Sequence, residues 1–137
     1  MGTRLKVLLV EDDSVSLMLL EYLVSVLDLE SVAAADVRSA RQLLAEDDLP
    51  DIAILDTGLP DGDGLELLAE IRKRRLPITV ALMTGTPCRS IASRCGRWKP
   101  DAMFAKPLDP DIVGEWLEHQ SWRIRGEARG CAMASVA

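Results

Sequence analysis

Short apolar runs alternate along the chain with longer segments whose apolar residues recur every three or four positions. Leu5 to Val10 is the first run, rich in β-branched and aliphatic residues, and reads as a buried strand. Weaker or clearer runs follow at Ser31–Ala34, Asp51–Asp56, Ile78–Met83 and Ala102–Ala105. Between them, helical spacing predicts helices over Ser14–Asp28, Val37–Glu46, Leu65–Arg75, Pro87 to about Cys95, and Pro110 to about Gln120. The strand runs are apolar throughout and do not alternate, as expected of a parallel sheet covered on both faces. The predicted architecture is α/β: a doubly wound five-stranded parallel sheet with helices on both faces.

The first helix has an unusually wide apolar arc. Val15, Met18, Tyr22 and Val26 form one stripe, and Leu17, Leu20, Val24 and Leu27 form a second. Ser14, Glu21, Ser25 and Asp28 leave only a polar sliver. Such a helix is buried on most sides or meets a partner. The second stripe is the candidate for a partner or self-association surface, against the plainer reading of a helix packed deep between its neighbours.

At 137 residues the chain is sized for one domain. The net charge of −6, from 16 basic and 22 acidic residues, argues against a nucleic-acid partner, which needs a basic face. The three cysteines, Cys88, Cys95 and Cys131, form no C-x-x-C pair, so a disulfide framework or zinc site is not expected. A reducing cytoplasm fits this. No apolar run reaches about 18 residues, so no membrane partner or span is expected. Met1-Gly2 suggests acylation, but Lys6 stands where that motif needs Ser or Thr.

In open parallel sheets, ligands gather outside the carboxyl ends of the strands. Here those ends carry Glu11-Asp12-Asp13, Asp56, Thr84 and Lys106. Clustered carboxylates repel one another unless paired or metal-bound. Mg2+ answers that problem, since it takes oxygen ligands, commonly one or two carboxylates together with phosphate oxygens. Lys106 can pair with a carboxylate and then with a phosphoryl oxygen, while Thr84 can donate to another. Phosphoryl transfer needs mainly this kind of positioning and charge stabilisation.

Glu11-Asp12, Asp56-Thr57-Gly58-Leu59-Pro60 with Gly64 behind it, Thr84-Gly85 and Lys106-Pro107 occur in order, each at a strand end. This set resembles the receiver domain of two-component signalling, over about Arg4 to Gln120. The resemblance implies a flavodoxin-like strand order of 2-1-3-4-5. It also implies that Asp56 accepts a phosphoryl group from a sensor histidine kinase or phosphotransfer protein. Asp12, Asp56 and the carbonyl of Gly58 would ligate Mg2+, with Glu11 supporting the metal. Thr84 and Lys106 would hold the phosphoryl oxygens, and Asp13 would sit at the first helix's N-cap. A cytoplasmic signalling module follows, catalysing transfer onto its own aspartate and able to act as a homodimer. Residues 4–120 are the expected receiver, and 121–137 a short tail without an output domain.

One departure stands out. Many receivers carry Tyr or Phe three residues before the lysine, where this chain has Met103. That keeps alive the alternative of a pseudo-receiver acting by contacts alone. A haloacid-dehalogenase-like phosphatase is disfavoured, because Gly58 stands where it needs a second Asp. Asp61-Gly62-Asp63-Gly64 reads as a turn and not a calcium loop, lacking the further acids and final Glu. Arg72 to Arg75 reads as a solvated helix face, His119 as an exposed residue, and Cys88 and Cys95 as small apolar fillers.

Overall fold

The computed structural model describes the backbone of residues 4–86 and 88–133, and side chains up to residue 126 except that of residue 88. The acylation question at Met1-Gly2, the predicted helix start at Pro87 and the side chains of Cys88 and Cys131 lie outside the described residues.

Five strands, β1 (Lys6–Val10), β2 (Glu30–Ala34), β3 (Ile52–Asp56), β4 (Thr79–Thr84) and β5 (Ala102–Ala105), form one sheet in the order β2-β1-β3-β4-β5. All neighbours are parallel, with register pairs such as Leu8 with Ala53 and Leu55 with Leu82. Five helices alternate with them: α1 (Ser14–Val26), α2 (Val37–Leu44), α3 (Gly64–Lys73), α4 (Cys88–Cys95) and α5 (Pro110–Met133). The expected fold class and strand order are thus the observed ones.

Strand alternation divides the core in two. Leu8 and Val10 point to one face and pack with Val37, Leu44, Leu68, Ile71 and Ile91. Val7 and Leu9 point to the other and pack with Leu20, Val24, Val113 and Leu117. Thus α2, α3 and α4 cover one face, and α1 and α5 the other.

The two stripes on α1 separate, opposite to the partner hypothesis. Leu20 and Val24 are fully buried and Leu17 and Leu27 pack against the same core, so the second stripe is structural. The first stripe faces solvent: Val15, Met18, Tyr22 and Val26 are each more than 60% exposed. Periodicity alone could not tell the stripes apart, because both have helical spacing. Leu20→Ala is expected to lower stability by about 2–5 kcal/mol, whereas Met18→Ala stays within about 0.5 kcal/mol. Urea unfolding of the two variants checks the assignment, and the reverse order would refute it.

The helix ends also have local causes. Asp28 and Arg75 take left-handed backbone, with φ of 58° and 53°. The amides that follow turn back to close α1 and α3: Leu29 N–H to the Val24 carbonyl, and Leu76 N–H to the Ile71 carbonyl. By contrast α5 does not stop near Gln120. Ser121 is buried, Ile124 packs against the core, and Arg123 donates to Thr79 Oγ1 at 2.7 Å, so the helix continues along the sheet into the expected tail. Arg72 is likewise not part of a solvated face. Its guanidinium joins the Ile78 and Lys99 carbonyls to the Asp101 carboxylate, bracing the starts of β4 and β5.

Candidate functional site

The carboxyl ends of β1, β3, β4 and β5 bring the predicted residues to one rim. Glu11 follows β1, Asp56 and Thr84 close β3 and β4, and Lys106 follows β5. Glu11, Asp56 and Thr84 are buried, while Asp12 is exposed. The carboxylate oxygens of Glu11, Asp12 and Asp56 lie within 4.8 Å of one another. Lys106 Nζ sits between two acids, 3.0 Å from Asp56 Oδ2 and 2.8 Å from Glu11 Oε2.

The electrostatics follow from that burial. Removal from water pushes the Glu11 carboxyl up, and neighbouring Asp56 acts the same way. Lys106 and the Asp13 N–H offset this only in part. Burial works against the Lys106 charge, yet the hydrogen bonds and charges of Glu11 and Asp56 outweigh it and hold the ammonium above its ordinary value. Because the folded-state value of Glu11 is raised, its contribution to stability falls as pH rises out of the ordinary carboxylate range. Glu11 Oε1 accepts the Asp13 N–H at 3.1 Å. Oε2 is buried and touches the Lys106 charge, but accepts no hydrogen bond of good geometry.

Around Asp56 the backbone is drawn tight. Gly58 N–H donates to Asp56 Oδ1 at 3.1 Å, and Thr57 N–H continues the ladder to the Met83 carbonyl at 3.0 Å. A Cβ at Gly64 would lie 2.4 Å from the Asp56 carbonyl oxygen, so only glycine lets α3 begin against the end of β3. Asp13 caps α1 as expected, accepting from Ser16 N–H at 2.9 Å; the N–H and hydroxyl of Ser16 hold its carboxyl below the ordinary range.

Thr84 is engaged elsewhere. Its Oγ1 lies 2.8 Å from Thr86 Oγ1 and accepts the Thr86 N–H at 3.0 Å. Met103 is partly buried against the α4 side of the sheet. Phe104, on the opposite face, meets Trp116 edge-on at 5.5 Å. The ring beside Met103 is therefore committed to the core on the α5 side.

Three features were not read from the sequence. Asp63 and Glu66 form a capping box on α3, a D-x-x-E signal that was present in the sequence. Arg94 of α4 pairs with Asp63, and Asp61 accepts N–H bonds from the start of α2; no local pattern announces either contact. Cys95 is buried as a small apolar filler, with burial pushing its thiol up. His119 is exposed.

Residues 7–117 match the family described as the response regulator receiver domain. The chain belongs to that family. Among relatives, the response regulator protein PilR of Pseudomonas aeruginosa is 32% identical over 107 residues, covering 78% of this chain and 24% of PilR. The transcriptional regulatory protein KdpE of Staphylococcus aureus is 41% identical over 76 residues, covering 55% of this chain and 32% of KdpE. This receiver thus spans less than a third of the length of either relative. A solved signal receiver domain of an HD domain-containing protein from Pseudomonas fluorescens Pf-5 superposes with a TM-score of 0.80 at 31% identity, covering 94% of each chain. A CheY-like receiver domain protein from Methanospirillum hungatei JF-1 gives 0.81 at 23% identity, over 91% of this chain and 99% of that one, and speaks to the fold alone. Among the described residues no helix is long and apolar enough to cross a membrane.

Proposed function

We propose that residues 4–120 act as a phosphoacceptor in a two-component relay, taking a phosphoryl group on Asp56 from a phosphohistidine of a sensor kinase or phosphotransfer protein. The observation that carries this reading is the Lys106 ammonium shared between Asp56 and buried Glu11 at an acidic rim. An Asp56 oxygen forms the new O–P bond as the donor's P–N bond breaks. The bonding electrons return to the imidazole, which takes up a proton. Lys106 is placed to follow the charge from the carboxylate to the phosphoryl oxygens. Thr84 is placed at the neighbouring strand end to donate to another oxygen once it leaves Thr86.

The acidic cluster fits a hard divalent cation, because three carboxylates face one lysine, and the ammonium at 2.8 Å from the buried Glu11 oxygen is shared with Asp56. Asp12, Asp56 and the Gly58 carbonyl would hold Mg2+ directly, with Glu11 behind them through water. When bound, Mg2+ would offset the repulsion between these carboxylates and an incoming anionic phosphoryl group.

The partner surface we favour is the exposed α1 stripe. A cavity of about 560 Å3, lined by Asp13, Val15, Ser16, Leu19, Lys106, Pro107 and Leu108, joins that stripe to the rim. An apolar donor helix seated there would bring its histidine toward Asp56. A cytoplasmic setting suits such a partner. The transcriptional role named for KdpE belongs to a much longer protein.

Phosphorylation by acetyl phosphate with and without Mg2+ tests the reading, with an acid-stable, alkali-labile acyl phosphate expected only with metal. Its absence in both conditions would favour the contact-only receiver that Met103 allows. Asp12→Asn removes one proposed ligand and one negative charge. It should weaken Mg2+ binding roughly tenfold or more and slow labelling, while thermal stability holds or rises as repulsion is relieved. Unchanged affinity in a Mg2+ titration would remove Asp12 from the ligand set.

A further inference from the structure

From the contacts of the turn after β3, we infer that Asp61 is a positioning residue for the metal-facing carbonyl of Gly58, acting by capping a helix that is remote in sequence. This rests on the Mg2+ reading above. Gly58 has no packing of its own: it is exposed, and a Cβ built on it would meet nothing within 4 Å. Its carbonyl is therefore held only by what anchors the turn on either side. Upstream, the Thr57 and Gly58 amides bond Met83 and Asp56. Downstream, Leu59 and Gly62 pair across a tight turn, and the Leu59 side chain enters the core.

Asp61 sits in that turn, and its carboxylate accepts from Val37 N–H at 2.8 Å and Arg38 N–H at 3.1 Å. These are two of the unpaired amides at the start of α2. The residue that caps α2 locally, Asp36, satisfies a different one, Ser39 N–H at 2.7 Å. The start of α2 thus has two carboxylate caps, one from its own segment and one from the loop beside the acceptor. Gly62 is pressed into the same junction, where a Cβ would come within 3.1 Å of Val37 Cγ2 and collide with Glu66. The turn is fastened to α2 at Asp61 and Gly62, four residues or fewer from the carbonyl it must present.

Asp36 supplies the control. Both Asp36→Ala and Asp61→Ala strip an N-terminal cap from α2 and should lower the melting temperature by similar amounts. Only the second frees the turn. Mg2+ alone is titrated into each protein and followed through the Thr57 and Gly58 amide resonances. Asp61→Ala is expected to weaken Mg2+ binding roughly tenfold, as loss of an outer support for a metal ligand does; Asp36→Ala stays within about twofold of the wild type. Asp61→Asn retains one acceptor oxygen and should fall between, and it carries the test if the alanine variant fails to fold. Wild-type affinity in Asp61→Ala and Asp61→Asn, or equal weakening in Asp36→Ala, overturns the inference while leaving the metal site standing. No Mg2+ response in the wild type overturns the metal reading itself, and this inference with it.

Discussion

Asp56→Ala is expected to abolish labelling by acetyl phosphate, by at least about a thousandfold, the scale on which deletion of a nucleophile acts. Of the neighbouring acids, Glu11 is a poor substitute. Glu11 is buried, with a raised carboxyl pKa and one oxygen against Lys106. Asp12 is exposed and is the single acid of the cluster that a donor could reach instead. The fold should persist, since Lys106 keeps Glu11 as a partner and the removed carboxylate also relieves a repulsion. A cooperative melt with no label incorporated is the predicted result. Stoichiometric acyl phosphate on the variant would show that Asp56 is not the acceptor.

Lys106→Met should be the most destabilising single change at the rim. It leaves Glu11 and Asp56 buried together with no cation. Breaking a buried ion pair on one side costs about 3–5 kcal/mol. Here the Lys106 side chain retains 24% exposure, so a loss of about 2–4 kcal/mol is expected. The sign of the pH dependence follows. Without the ammonium the buried Glu11 carboxyl, already raised by burial, loses the partner that lowers it, so the folded state binds more protons than the unfolded chain and the deficit grows as pH rises. Urea unfolding should show the largest difference from wild type near pH 7, shrinking below the ordinary carboxylate range. Millimolar Mg2+ should restore part of it by mass action if the cluster binds the ion. Equal midpoints for wild type and variant at pH 7 would refute the coupling.

How far these features could be read in advance depended on how local they are. The strands were legible because a parallel sheet covered on both faces needs uninterrupted apolar runs, and Val7–Val10 and Ile52–Leu55 supply them. The rim followed from the same logic, since strand ends in such a sheet point to one edge. Which stripe of α1 is buried was not legible, because Leu20 and Met18 are both apolar at helical spacing and only the position of α5 and the sheet decides. The reach of α5 past Gln120 was missed because Ser121 and Arg123 look polar, although one is buried and the other binds Thr79. Asp61 looked like a turn residue, and its partner at Val37 lies too far away in sequence to predict.

If Asp56 takes up a phosphoryl group, the paired hydroxyls of Thr84 and Thr86 would make the response at Thr84 an exchange of partners rather than a net gain. A neutral hydrogen bond contributes about 1 kcal/mol and one to a charged oxygen about 2. Trading one for the other leaves about 1 kcal/mol of bias, roughly a fivefold change in a two-state ratio. Full conversion from 1:99 to 99:1 needs about 5.5 kcal/mol. With Met103 offering no ring to fill the space behind Thr84, a phosphorylated rim would on this arithmetic act as a dimmer and not a toggle.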